Sequence, residues 1–247
     1  MIQLTVNPAP DEMPACLCLT RPEMDYEAAW HMQTSLVAAR KARRLSSDVI
    51  MVLEHPPVFT LGRRGGRENL MVSEAFLQER RIPVFQAERG GNITYHGPGQ
   101  LVVYTIMDLA ARRLAVVDFV TMLEEAMIRT AGAWGVTAVR NAMNRGVWIG
   151  SSKLGSVGIA IRKGVSFHGL ALNVSTDLEP FAWINPCGLH NVAVTSLEQE
   201  LGRQIAMADV RAQFRAHFQA IFTLELVPVD FEKLRQLTDD MNLGRGN

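Results

Sequence analysis

A thiol between a proline and a glycine is the most reactive-looking feature of this 247-residue chain. In Asn185-Pro186-Cys187-Gly188-Leu189 the backbone is held tightly, and one side chain can project into a cleft. A thiolate is a strong nucleophile near neutral pH and attacks thioesters or activated carbonyls when a nearby cation lowers its pKa. Most free cysteines are small buried hydrophobes, so the run alone leaves both readings open. Lys153 is the candidate cation. The chain has only four lysines (Lys41, Lys153, Lys163 and Lys233) and otherwise uses arginine for positive charge. That choice matters because arginine does not release its proton, whereas a buried lysine titrates and can act as a base. A lysine in a turn between two strands, where Lys153 is expected, is usually just solvated. His168, in Ser166-Phe167-His168-Gly169-Leu170-Ala171, is a rival base, although a lone strand histidine is more often structural.

A second segment, Arg89-Gly90-Gly91-Asn92-Ile93-Thr94-Tyr95-His96-Gly97-Pro98-Gly99-Gln100, gathers glycines around a short alternating strand. Without Cβ atoms the backbone can approach a ligand closely, and Arg89, Thr94 and His96 would add polar contacts. The same run reads equally as a hairpin turning at Gly97-Pro98-Gly99. Neither GxGxxG nor GxxxxGK(S/T) occurs, so no nucleotide fingerprint accompanies it.

The elements that must position these residues follow from periodicity. A strand is expected over Cys16 to Leu19, and a helix over Tyr26 to Leu45 with Tyr26, Ala29, Trp30, Gln33 and Val37 near one face. Val49 to Leu53 reads as a strand stopped by Glu54-His55-Pro56-Pro57, Ser73 to Arg80 as a helix capped by Ser73, and Val84 to Gln86 as a strand. Ile93 to Tyr95, Leu101 to Met107, Gly146 to Ile149, Val157 to Arg162 and Ser166 to Val174 make the centre strand-rich, with a helix over Val117 to Trp134. Short Gly and polar turns divide the later strands, which predicts antiparallel neighbours and an α/β fold with a mixed sheet. Helix, strand and helix follow around Val210 to Phe222, Thr223 to Val227 and Phe231 to Leu237.

Composition narrows the class. Hydrophobic residues are 48% and charged residues 20% of the chain, a balance that supports a buried core and argues against disorder. Lys plus Arg and Asp plus Glu both number 25, so the overall basic excess that nucleic-acid binding usually needs is missing. Two local basic runs, Arg40, Lys41, Arg43, Arg44 and Arg63, Arg64, Arg67, remain possible partner sites. The first twenty residues carry no Lys or Arg, and the long uncharged stretch Pro180 to Leu197 is broken by Asn185, Pro186, His190 and Asn191. Neither a secretory leader nor a membrane span is expected. Three cysteines, Cys16, Cys18 and Cys187, with no CxxC pair, argue against a disulfide framework and a zinc site and fit a cytoplasmic location. With no repeat or long linker, residues 1–247 are expected to form a single domain.

Together the runs RGGNITYHGPGQ, KLGSVGIAIRKGVSFHGLALNV and INPCGL, preceded by DYEAAWHMQ and LEHPPVFTLGR, resemble the lipoyl(octanoyl) transferases over roughly residues 25–197. The combination is far more specific than any one run. The resemblance implies a mixed sheet flanked by helices, as in the biotin and lipoate protein ligases. It also implies that Cys187 carries the acyl group as a thioester, that Lys153 activates it, and that substrate binds at Arg89, Gly90, Gly91, Asn92, Ile93, Thr94, Tyr95 and His96, at Ser156, Val157 and Gly158, and at Gly169, Leu170 and Ala171. The implied donor is octanoyl-acyl carrier protein. The implied acceptors are apo lipoyl domains of 2-oxoacid dehydrogenase E2 subunits and the glycine-cleavage H protein. No cofactor, metal, nucleic acid or membrane is implied. The rival readings are an ATP-dependent lipoate or biotin ligase on the same fold, which would not need Cys187, and a non-catalytic acyl-binding module in which that cysteine only packs. Cys16 and Cys18 lie outside the resemblance and are assigned no role.

Overall fold

The computed structural model describes residues 13–141, 144–185 and 192–239. Cys187 lies outside these residues. Eleven strands are described: β1 (Ala15–Thr20), β2 (Asp48–Leu53), β3 (Val58–Leu61), β4 (Val84–Gln86), β5 (Ile93–His96), β6 (Gln100–Ile106), β7 (Val139–Arg140), β8 (Val147–Ile149), β9 (Ser152–Arg162), β10 (Val165–Asn173) and β11 (Glu225–Val229). The helices are α1 (Tyr26–Lys41), α2 (Glu74–Glu79), α3 (Val116–Gly132), α4 (Leu197–Leu201), α5 (Met207–Phe222) and α6 (Phe231–Asp239).

Eight strands form one mixed sheet in the order β11-β1-β2-β6-β10-β9-β8-β7. β1 is parallel to both β11 and β2, while every pairing from β2 across to β7 is antiparallel. The parallel pair β1–β2 needs a crossover, which α1 supplies; the strands joined by short turns return alongside each other. On one face Cys16, Cys18, Val103, Leu170 and Leu172 pack with α3 and α5 residues such as Phe119, Leu123, Phe214 and Phe218. On the other, Met51, Tyr104 and Phe167 pack with Leu36 and Val37 of α1 and Leu234 of α6.

Local chemistry sets the ends of α1. Asp25 accepts from the N–H groups of Glu27 and Ala28 at 2.9 and 3.1 Å, and Arg40 and Lys41 occupy the last turn. The helix stops at Lys41 rather than Leu45 because Arg43 turns left-handed at φ 55°. Arg40 then reaches back to the Leu45 and Ser46 carbonyls and to Asp48, locking the loop that feeds β2.

A smaller sheet, β4-β3-β5, packs Phe59, Leu61, Ile93 and Tyr95 against Leu77 of α2 and against Ile184. It changes the meaning of Gly97-Pro98-Gly99. The hairpin alternative fails, because β5 pairs with β3 and β6 pairs with β2 and β10; the turn carries the chain from one sheet to the other. β9 also begins five residues before the expected Val157, since Gly155 and Gly158 imitate turn signals inside a continuous strand. Lys153 is therefore a strand residue and not part of a turn.

Candidate active site

One cavity of about 790 Å³ opens between the two sheets. Its lining includes Arg89, Gly90, Gly91, Asn92, Ile93, Thr94 and His96 from the glycine-rich run, Lys153, Ser156, Val157 and Gly158 from β9, and Gly169, Leu170 and Ala171 from β10. Tyr95 is not among them. Strand alternation turns it into the small-sheet core, where its ring sits 5.3 Å from Phe59 and 5.6 Å from Phe181.

The walls are close to backbone because little else fits. A Cβ on Gly169 would stand 2.0 Å from the Val103 carbonyl oxygen, so β10 passes β6 there only as glycine. The Gly90 N–H donates to the Ile159 carbonyl at 2.9 Å, which docks the glycine-rich run onto β9. Arg89 is buried, and its guanidinium donates to the Thr60 carbonyl at 2.6 Å and to the Thr60 hydroxyl at 2.8 and 3.1 Å. Those bonds pin the run to β3, so this arginine shapes the wall.

Two buried histidines, His96 and His168, line the cavity and a third, His55, lies behind them; burial lowers the pKa of each. Burial lowers His55 from 6.5 to about 4; its Nδ1 donates to the Met24 carbonyl at 2.6 Å, and its Nε2 accepts from the Tyr104 hydroxyl at 2.7 Å. Burial, reinforced by His55, lowers His96 to about 3. Its Nδ1 donates to Gln100 Oε1 at 2.7 Å; Gln100 in turn donates to Asn173 Oδ1 at 2.9 Å, and Asn173 to the Thr195 carbonyl at 3.0 Å. His168 falls to about 4, from burial first and Arg89 second. Glu88 Oε2 stands 3.7 Å from its Nε2, too far for a hydrogen bond, and the imidazole makes no ion pair while neutral.

His168 is also strained. At φ 57° in mid-strand it interrupts the β6–β10 ladder, and three side chains repair the gap. The Ser166 hydroxyl donates to the Thr105 carbonyl at 2.7 Å and accepts from the Met107 N–H at 3.1 Å; Thr105 donates to the His168 carbonyl at 3.3 Å; Gln33 of α1 accepts from the His168 N–H at 2.7 Å.

Lys153 lies at the opposite end of β9. His168 pairs with Ile159, six residues along the strand, so the two side chains originate about 20 Å apart. The Lys153 backbone pairs with the segment that follows residue 191: its N–H donates to the Ala193 carbonyl at 2.8 Å, and its carbonyl accepts from Thr195 at 3.0 Å. Before residue 186, Asn185 donates to the Asn69 carbonyl at 2.8 Å, and Leu70 bridges Ile184. Ile184 and Val192 both line the cavity.

The other cysteines separate from this chemistry. Cys16 and Cys18 are core residues whose thiols burial pushes up, Cys16 the further. Of the two basic runs only Arg64 lines the cavity. Arg40 is taken by Asp48 at 2.7 Å, and Arg67 pairs with Glu74. Sequence reading did not single out Tyr104, Val116, Val120, Asn144 or Val194 as cavity residues. Asn144 has no motif signal at all; it reaches the site through a loop folded back on β9. Among the described residues no three His, Cys, Asp or Glu side chains are gathered as metal donors, and no helix is long and apolar enough to cross a membrane.

A mixed sheet flanked by helices, with a cavity between it and a smaller sheet, is the fold of the crystal structure of lipoate-protein ligase A bound with ATP. It aligns with a TM-score of 0.72 over 94% of this chain and 95% of that one, at 17% identity. The chain belongs to the lipoyl protein ligase A/B catalytic domain family, whose model matches residues 25–219. Among curated relatives, the octanoyltransferase of Desulfotalea psychrophila is 53% identical over 188 residues, 75% of this chain and 84% of its own. That of Caldicellulosiruptor bescii is 43% identical over 217 residues, 87% of this chain and 95% of its own.

Proposed function

We propose that this chain is an octanoyltransferase that carries the acyl group on Cys187, with Lys153 as its proton partner and residues 1–247 as one catalytic domain. The observation that supports the reading best is convergence. Runs far apart in the sequence line one cavity of a size suited to a small ligand, with apolar Val157, Leu170 and Val194 and the amine of Lys153 in its wall. Cys187 follows Asn185 by two residues and precedes Val192 by five, and both flanks of that stretch border the cavity.

Lys153 takes the Cys187 proton or holds the thiolate as an ion pair. The sulfur attacks the carbonyl of an octanoyl thioester on acyl carrier protein. The bond from that carbonyl to the carrier's sulfur breaks, and the carrier leaves as the thiol after taking up a proton. A lysine amine of an apo lipoyl domain then attacks the enzyme thioester, an amide forms, Cys187 departs as thiolate, and Lys153 accepts the amine's proton. Because the donor is already a thioester, ATP is not consumed. Arg89 to Thr94 with His96, Ser156 to Gly158 and Gly169 to Ala171 bind the acyl chain, Tyr95 supporting them from behind. The acceptors are lipoyl domains of 2-oxoacid dehydrogenase E2 subunits and the glycine-cleavage H protein, and the enzyme works in the cytoplasm.

Intact-protein mass measurement after mixing with octanoyl-acyl carrier protein, without ATP, tests this. The expected result is one octanoyl adduct on the native chain and none on Cys187→Ala, which also loses transfer to an apo lipoyl domain. Normal turnover by Cys187→Ala, or transfer that requires ATP and octanoate, overturns it in favour of a ligase.

A further inference from the structure

Glu124 is a fully buried carboxylate on α3, outside the glycine-rich and cysteine-bearing runs. Its Oε1 accepts from the Gly146 N–H at 2.8 Å, and its Oε2 accepts from Arg145 at 3.1 Å with Arg140 at 3.5 Å. A buried charge compensated this fully is costly to move, so Glu124 fixes residues 145–146 against α3. The residue so positioned is Asn144. Its side-chain oxygen accepts from Lys153 Nζ at 3.0 Å, and its carbonyl accepts from Trp148 Nε1 at 3.1 Å; the Trp148 ring centroid lies 5.2 Å from the same Nζ. Gly146 makes the approach possible. Its φ is +121°, and a Cβ there would lie 2.3 Å from the Gly155 carbonyl oxygen and 3.0 Å from Lys153 Cε.

We infer that Asn144 is the positioning residue for Lys153, held in place by Glu124 through Arg145 and Gly146. The inference rests on the role proposed above for Lys153. The amide matters because it is neutral. A carboxylate at the same place would favour the ammonium and hold its proton strongly, whereas an amide oxygen orients the amine without placing a full negative charge against it. Among the described residues, the charged groups on the elements bordering Lys153 are Arg145 on the Asn144 loop, Glu124 on α3 and Glu200 on α4; Arg145 and Arg140 pair with Glu124, and Glu200 accepts from the Thr195 hydroxyl.

Single-turnover acylation and transfer, each followed against pH, test the inference in the full-length enzyme. Asn144→Ala is expected to slow both half-reactions roughly ten- to a hundredfold with substrate affinity unchanged, because the amine is misplaced and not removed. Asn144→Asp, nearly isosteric, is expected to move the limb of the pH–rate profile governed by Lys153 to higher pH, whichever protonation state is active. A merely structural role would lower the rates without moving that limb. Wild-type rates in Asn144→Ala, or an unshifted limb in Asn144→Asp, overturn the inference and leave the function standing; should the Ala variant not fold, the Asp variant decides alone. If the native chain forms no adduct on Cys187, or Lys153→Ala keeps its rates, the function falls and this inference with it.

Discussion

The two ends of β9 handle polar groups in opposite ways. Towards Ile159 the cavity wall and the layer behind it hold histidines and tyrosines in close ring contact: Tyr26 with His55 at 5.4 Å, His55 with His96 at 5.8 Å and Tyr104 with His168 at 6.2 Å. Burial keeps these imidazoles neutral well below ordinary pH. At Lys153 the amine donates to the Asn144 amide and lies over the Trp148 indole, beside a loop whose Arg145 is exposed. Residue type misleads here. Histidine is the usual titrating group near neutrality, yet burial holds the histidines at the Ile159 end well below it, which leaves the proton-transfer role proposed above with the lysine.

The largest expected effect that sharpens this contrast is at Lys153. Lys153→Arg keeps the charge but cannot accept a proton, so both half-reactions should fall roughly a hundredfold or more. His168→Asn, whose side chain tolerates the left-handed backbone at φ 57°, should leave the chemical rates within severalfold and act mainly on acyl-chain affinity. Stopped single-turnover assays on the two variants compare the ends directly. If the losses were reversed, the base would have to be sought at the histidine end.

A smaller effect concerns acid. The unfolded chain takes up protons on His55, His96 and His168 near 6.5, while the folded protein resists to about 4, 3 and 4 respectively. Where the unfolded state binds more protons, stability rises with pH. The contribution of these histidines is therefore complete above about 6.5 and is lost as the pH falls towards the folded values. Thermal melts from pH 7 down to 4 should show Tm falling, and His55→Gln should flatten part of that fall. An equal slope in the variant would mean that carboxylates, not the buried imidazoles, set the acid limit.

Local signals explain what could be read from the chain. Asp25 capping α1, Ser73 capping α2 and the β-branched run of β2 are chemistry within a few residues, and those elements begin within a residue of where the sequence puts them, although α1 ends early. β3, with four residues directly after Pro56-Pro57, and β7, with two, are too short to show a period. The same limit applies to the site. Glycine-rich runs announce close backbone approach, so the lining from Arg89 to Thr94 was legible. That Tyr95 faces the other way depends on which sheet β5 joins, a long-range fact. Asn144 and Glu124 were invisible because their meaning comes only from the pairing of a buried carboxylate on α3 with a loop some twenty residues later in the chain.

The smallest expected effect lies at the cavity mouth. Arg64 is exposed and lines the cavity, whereas Arg40 is consumed by Asp48 and Arg67 is paired with Glu74. If carrier and lipoyl partners present acidic surfaces, Arg64 is the member of the two basic runs placed to steer them, and the run at residues 40–44 is not. An exposed charge attracts over a distance that salt shortens, to about 10 Å at 0.1 M. Arg64→Glu should therefore raise the KM for octanoyl-acyl carrier protein severalfold at low ionic strength, with kcat little changed and the difference shrinking as salt is added. Lys41→Glu, on the other basic run, should do nothing comparable. Steady-state titrations of the carrier at two salt concentrations measure both. A loss in Arg64→Glu that salt does not reduce would point to a direct contact with the acyl-bearing end of the donor, and equal losses in the two variants would mean that net charge, not the mouth, attracts the partner.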